Sequence, residues 1–259
     1  MDFTLTTYKE LLKALKSAGY TFQTFEQFLQ HPSEDKTVVL RHDVDLRPRN
    51  SLSVAKIENE LSIPSVYYFR AVPDSWDENI IRSIAEIGHE IGYHYESLTT
   101  AKGNLNAAYD DFVSNLAKLR ELVPVHTICM HGSPRSKYDS KDIWKKFSYR
   151  DLGIVGEPYF DVDYSQVFYL TDTGRCWNGN KVSVRDKIER YQDEWIKKGL
   201  VFHSTCDIIE ALNGNDFPEK LIITTHPQRW TDNKCIWLKE LVLQSLKNLV
   251  KRIMVSMKK

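Results

Sequence analysis

Cysteine is scarce and scattered. Cys129, Cys176, Cys206 and Cys235 are the four in 259 residues, and no two have C-x-x-C spacing. That excludes a cysteine-built zinc knuckle and a disulfide framework, and the four read as reduced thiols. An excess of charge of one sign is lacking too: lysine and arginine total 35, aspartate and glutamate 35, for a formal net charge of zero. With no long basic run, the composition argues against a dedicated nucleic-acid binder. There is no uncharged apolar stretch of about 18 residues, so no membrane-spanning helix is expected. The opening residues MDFTLTTYKELLKAL lack a basic region followed by an apolar core and do not read as a secretory signal, so a cytoplasmic location is expected. Neither a GxSxG elbow, a Walker loop nor GxGxxG occurs, and acyl-serine, nucleotide-phosphate and dinucleotide chemistry lose support with them.

Apolar surface is plentiful. Hydrophobic residues make up 42% of the chain and aromatics 12%, enough for a sizeable core. At roughly 150 residues per domain the length permits one large unit or two small ones, and an α/β barrel commonly fills about 250 residues. No Pro/Gly/Ser-rich linker divides the chain. One domain over 1–259 is therefore expected, with 1–36 as an N-terminal helical extension and 234–259 as a C-terminal helix. Residues 7–18 carry Leu11, Leu12 and Leu15 at helical spacing and stop at Gly19. Strands are expected at 37–45, 65–70, 89–95, 126–132, 166–172, 200–203 and 221–227, and helices at 48–61, 78–88, 104–122, 185–199, 205–213 and 234–257. Strands separated by helix-length segments indicate βα units in a mostly parallel sheet, and about seven of them approach barrel size.

The ionisable residues fall where those β-rich runs end. His42, Asp43 and Asp45 close the first and Arg70 the second. His94 and Glu96 follow the third, and His131, Asp172, His203 and His226 end the others. In parallel α/β barrels that end of the strands builds the active site. Seven segments are thus expected to aim titratable groups into one mouth. Their being mainly His and Asp, where surface caps would favour Lys and Glu, supports a site. Asp and neutral His are good ligands for zinc or a similar divalent ion. A second carboxylate two residues away can act as a base toward a metal-bound water, and a histidine across the pocket can protonate a leaving group. Metal-assisted hydrolysis is the chemistry this set points to. Arg70 suits a clamp on a substrate carboxylate or phosphate. His42 reads as a packed strand residue, and His31, His126 and His203 as structural or surface residues.

RHDVD at 41–45, GHEIGYH at 88–94 and THP at 225–227 resemble, in order, the motifs of the polysaccharide deacetylase family (NodB-homology, carbohydrate esterase family four). The branch resembled most is the one found with O-antigen and capsule biosynthesis. The resemblance implies a distorted (β/α) barrel, a divalent metal that is usually zinc, and removal of an N- or O-acetyl group from a sugar. It implies a base at Asp43, a metal-binding carboxylate at Asp45, the first metal histidine at His94 and the catalytic acid at His226. His89 is not a ligand in the family. Asp172 and Trp177 match an Asp–Trp pair, and Trp230 could stack on a sugar ring. With Arg70 and Glu96, these three are expected to contact the saccharide.

The family's second metal histidine falls at Leu98, which cannot ligate. The third protein ligand is then missing, or comes from Glu96, His131 or Asp172. His131 also stands where the family has an arginine that orients the base. A two-ligand site would bind zinc weakly. Three readings follow: an active sugar deacetylase with a rebuilt site, a retired barrel that still binds saccharide, and a hydrolase of another non-peptide carbon–nitrogen bond. The saccharide could be free, nucleotide-linked or lipid-linked. The last helix, amphipathic with a basic end, suits packing on the barrel exterior or docking to an anionic membrane surface.

Overall fold

The run TVVLRHDV becomes the strand around which the sheet is laid out. In the computed structural model, which describes residues 1–133, 136–177, 188–214 and 216–256, it is preceded by α1 (Leu5–Ser17), β1 (Thr21–Gln23) and α2 (Phe25–Gln30). After β2 (Thr37–Val44) come α3 (Pro48–Glu60), β3 (Val66–Phe69), α4 (Glu78–Glu86), β4 (Glu90–Tyr95), α5 (Ser97–Thr100), α6 (Leu105–Arg120) and β5 (Ile128–Met130). The chain continues through α7 (Pro158–Asp161), β6 (Phe168–Thr171), α8 (Glu189–Lys197), α9 (Thr205–Ala211), β7 (Lys220–Thr225) and α10 (Lys234–Ser256).

The strands run in the order β5-β4-β3-β2-β7-β6, with β1 beside the first residues of β2. Every pairing is parallel. The path is open, with β5 and β6 at its two ends, and the expected parallel α/β architecture holds. Local chemistry starts and stops the helices as the sequence suggests. Thr4 caps α1, whose Tyr8, Leu11, Leu12 and Leu15 are buried. Pro48 opens α3 at its first turn. Asp77 caps α4.

Two expectations fail. Residues 200–203 form no strand. α8 ends with Gly199 at φ +76°, and the Leu200 N–H bonds the Trp195 carbonyl, a left-handed helix stop. Ser204 then caps α9 in a reciprocal box with Asp207. Between a helix stop and a helix start no room remains for a strand, and His203 is exposed rather than aimed into the mouth. The seventh strand is instead β1, inside the region expected to be a helical extension. Of the expected helix at 185–199, residues 185–187 lie outside the described residues, as does residue 257 of the last helix.

Register decides which side chains share a face. Asp43 lies opposite Tyr68 of β3, Tyr68 opposite Gly92 of β4, and His94 opposite Cys129 of β5. Gly92 is required here, because a Cβ would sit 2.3 Å from the Tyr68 ring. With alternation along each strand, Arg41, Asp43, Tyr68, Gly92, His94 and Cys129 occupy one face. His42 lies opposite Tyr67 and Thr225 on the other.

Candidate active site

Three side chains from three strand ends converge at the mouth. Asp45, just past β2, places Oδ1 3.7 Å from His94 Nε2 of β4 and 3.5 Å from His131 Nε2, one residue past β5. Two donors on a tetrahedral zinc, each about 2.0–2.1 Å from the ion, lie roughly 3.4 Å apart. Both imidazoles are held in the tautomer that ligation needs. His94 Nδ1 donates to the Cys129 carbonyl at 2.9 Å, and His131 Nδ1 donates to Glu96 Oε2 at 2.9 Å, leaving each Nε2 lone pair toward Asp45. Asp45 Oδ1 is buried and has no hydrogen-bond partner. A buried, ionised, unpartnered oxygen between two imidazole nitrogens is costly without a ligand, so the residues present fit a divalent ion.

The electrostatics agree. Burial would push the Asp45 carboxyl up, but His131, His226 and His94 around it hold it below the usual carboxylate value. Burial, with His131 and Arg41 nearby, pushes His94 well below the ordinary imidazole value, so it is neutral. Glu96 resists its own burial because His131 and Arg70 draw its pKa down to about 2. Leu98, where the family pattern has a histidine, is 3% exposed within the core. Among the three residues weighed as the replacement ligand, the geometry brings His131 to the site. Glu96 stands behind it as its hydrogen-bond acceptor. A deeper donor set, Asp43, His94 and Cys129, also lies within 4.8 Å, but Arg41 already engages both oxygens of Asp43.

That engagement is the feature the sequence reading missed. Arg41 Nε and Nη2 donate to Asp43 Oδ1 and Oδ2 at 2.8 and 2.7 Å. Both residues are buried. Despite burial, the adjacent carboxylate raises the Arg41 pKa well above its ordinary value. The arginine that holds Asp43 therefore comes from two residues earlier on the same strand, and His131 makes no contact of that kind. The i, i+2 spacing in RHD was the available signal, since it puts both side chains on one face. Asp43 Oδ2 lies 3.6 Å from His94 Nε2, at the wall of the same site.

His226 faces the site from β7, with Nε2 3.8 Å from Asp45 Oδ2. Its Nδ1 bonds Asp172 Oδ1 at 2.6 Å, and its backbone N–H donates to Asp172 Oδ2 at 3.0 Å. Arg229 Nη1 donates to Asp172 Oδ1 at 2.6 Å and Trp230 Nε1 to Oδ2 at 2.8 Å. Burial and Arg229 work against a protonated His226, but Asp172 and Asp45 outweigh them and raise its pKa. Gln228 Nε2 lies 3.5 Å from Asp45 Oδ2. Neither Gln228 nor Arg229 was anticipated from the sequence.

The expected saccharide contacts need correction. Asp172, Trp177 and Trp230 are 0%, 4% and 1% exposed, closed to a sugar ring. Trp230 packs on Phe3, Tyr8 and Trp177 and hydrogen-bonds Asp172, while Trp177 Nε1 donates to Thr205 Oγ1. They form the wall behind His226. Arg70 spans Glu96 Oε1 at 2.6 Å and the Asp45 carbonyl at 3.2 Å. Its clamp thus closes on the protein, although Arg70 and Glu96 both keep side chains 18% exposed.

No protein-family model matches the chain, and no curated protein matches it. Solved structures do resemble it. A CE4 esterase from Streptococcus mutans aligns at 14% identity over 89% of this chain and 88% of that one, with a TM-score of 0.47. A family 4 carbohydrate esterase from Bacillus subtilis aligns at 11% identity over 92% and 84%, with a TM-score of 0.43. A CE4 family pseudoenzyme from Bacillus anthracis aligns at 12% identity over 84% of this chain, which spans 63% of that one's length, with a TM-score of 0.44. At such identities the likeness assigns no residue of this chain a role.

Proposed function

We propose that this chain is a metal-dependent hydrolase that removes an acetyl group from a saccharide. The observation that carries the reading is the unpartnered, buried Asp45 Oδ1 facing His94 Nε2 and His131 Nε2, with Asp43 and His226 on either side. A divalent ion held by Asp45, His94 and His131, zinc by the nitrogen-rich donor set, would polarise an acetyl carbonyl and acidify a water. Asp43 accepts the proton of the attacking water, and Arg41 fixes its orientation. His226, protonated and held at Nδ1 by Asp172, delivers a proton from Nε2 to the departing amine or hydroxyl. The Asp172–Arg229–Trp230 wall keeps that ring from turning. The motif resemblance supports an acetylated sugar of cell-surface polysaccharide synthesis as substrate, free or linked to a nucleotide or lipid, handled in the cytoplasm.

A second reading is a barrel that binds saccharide without turning it over. The bidentate Arg41–Asp43 pair favours it, because both oxygens of the proposed base are already engaged. Acetate release from acetylated saccharides by zinc-loaded protein separates the two. Release that disappears in Asp43→Asn supports the hydrolase. Saccharide binding with no release, in protein carrying one zinc per chain, supports the retired barrel. Release unchanged in Asp43→Asn overturns the base assignment.

A further inference from the structure

A surface helix ordinarily turns its apolar stripe inward. α10 inverts this along much of its length. Against the body it sets Glu240, Gln244 and Asn248. Glu240 is bonded to Arg47 at 3.2 Å, and Asn248 donates to the Gly174 carbonyl at 2.7 Å. Outward it presents Leu238, Val242, Leu246 and Leu249, exposed by 56%, 52%, 58% and 58%, with Ile236 and Leu243 beside them. At 3.6 residues per turn the first four fall within an arc of about 80°, one continuous stripe. The exposed charges on the described side chains of the helix are Lys234, Lys239 and Lys247, while its one acid there, Glu240, faces inward. The helix is seated on the turns that carry the site: Arg47 lies two residues beyond Asp45, and Gly174 two beyond Asp172.

We propose that this outward face docks on an anionic lipid surface. Apolar side chains enter the headgroup–acyl boundary, and the lysines reach up along their stems to the phosphates. A second copy of the chain is the competing occupant. Pairing two such faces would gather lysines from both copies with no acid on the face to offset them, whereas anionic headgroups supply that charge.

Flotation of the full chain with phosphatidylglycerol–phosphatidylcholine vesicles, beside phosphatidylcholine vesicles, tests this without turnover and so apart from the hydrolase reading. The protein should float with the anionic vesicles only. Lys234→Gln and Lys239→Gln, whose lysines flank the stripe, should each weaken vesicle affinity about fivefold. Leu238→Asp with Leu246→Asp should abolish flotation while the melting temperature and near-ultraviolet dichroism stay unchanged. The lysine variants keep the apolar stripe, so they report on the electrostatic contribution even where the aspartate variant misfolds. No flotation with anionic vesicles overturns the proposal. So does a dimer seen by light scattering that the aspartate variant dissolves.

Discussion

His42 and Asp43 are neighbours on one strand, yet they enter two polar clusters of opposite character. Behind the sheet, His42 Nε2 lies 2.7 Å from Glu58 of α3. Glu58 also accepts from Tyr8, from Tyr67 at 2.6 Å and from Ser65 at 2.8 Å. His89 closes the cluster against Ser65 and the Ala55 carbonyl. Both oxygens of Glu58 are partnered, and the cluster is sealed from solvent. In front, Asp45 keeps an unpartnered oxygen between two imidazoles at an open mouth. Residue types alone do not separate a structural cluster from a ligand site. The separation lies in whether polar valences are satisfied within the protein or left facing one another without a proton to share, as Asp45 Oδ1 is.

Breaking each cluster should expose the difference. The largest effect is expected from Glu58→Ala, which strands His42 Nε2 and the hydroxyls of Tyr8 and Tyr67 in the core and should cost about 3–5 kcal/mol of stability. Urea midpoints measure it, and zinc per folded chain should stay unchanged. Asp45→Asn should do the reverse. Zinc affinity should fall by at least about a hundredfold, while the metal-free protein should lose less stability than Glu58→Ala costs, because the surrounding His131, His226 and His94 favour the ionised Asp45 only modestly over a neutral amide. Competition with a chromophoric chelator reads the first and thermal melts the second.

Glu96→Gln keeps the shape but weakens the acceptor behind His131, so affinity should drop by about 10–100-fold. The rear cluster should also set the acid limb of stability. Burial alone would raise the Glu58 pKa, but His42, His89 and Tyr67 bring it from 4.5 down to about 2. A carboxyl depressed on folding contributes stability above its unfolded value, and that contribution is lost as pH falls toward the folded one. Stability should therefore decline between about pH 5 and pH 2, and Glu58→Gln should flatten that limb in pH-dependent melts. The smallest effect is expected from Cys129→Ser, which should leave zinc affinity within about threefold. A large loss would move the ion to the deeper set with Asp43.

Much of this was legible in the residues, and the failures have physical causes. The continuous apolar opening of 37–44 and the helical period of 105–120 read correctly because burial imposes its pattern on one chain segment at a time. β1 was missed because three residues carry too short a pattern, and LVFH was misread because an apolar run beside a helix stop looks like a strand. Asp172 sat at the right strand end, but Trp230, which donates to it, is packed on Phe3, Tyr8 and Trp177, which arrive from distant parts of the chain. Arg41, although the first residue of RHDVD, was given no role because an arginine inside a strand shows its partner only when the side chains are placed.

The chain's own order of residues determined the parallel α/β plan and the placing of His and Asp at strand ends, since alternation, caps and helix stops act over a few residues. Tertiary structure alone decided that His131 stands beside Asp45 and His94 while Leu98 is buried in the core, that Asp172 lies behind His226, and that α10 wears its leucines outward. Each of these depends on which distant groups satisfy a charge or cover a face, and that is set by how the elements pack.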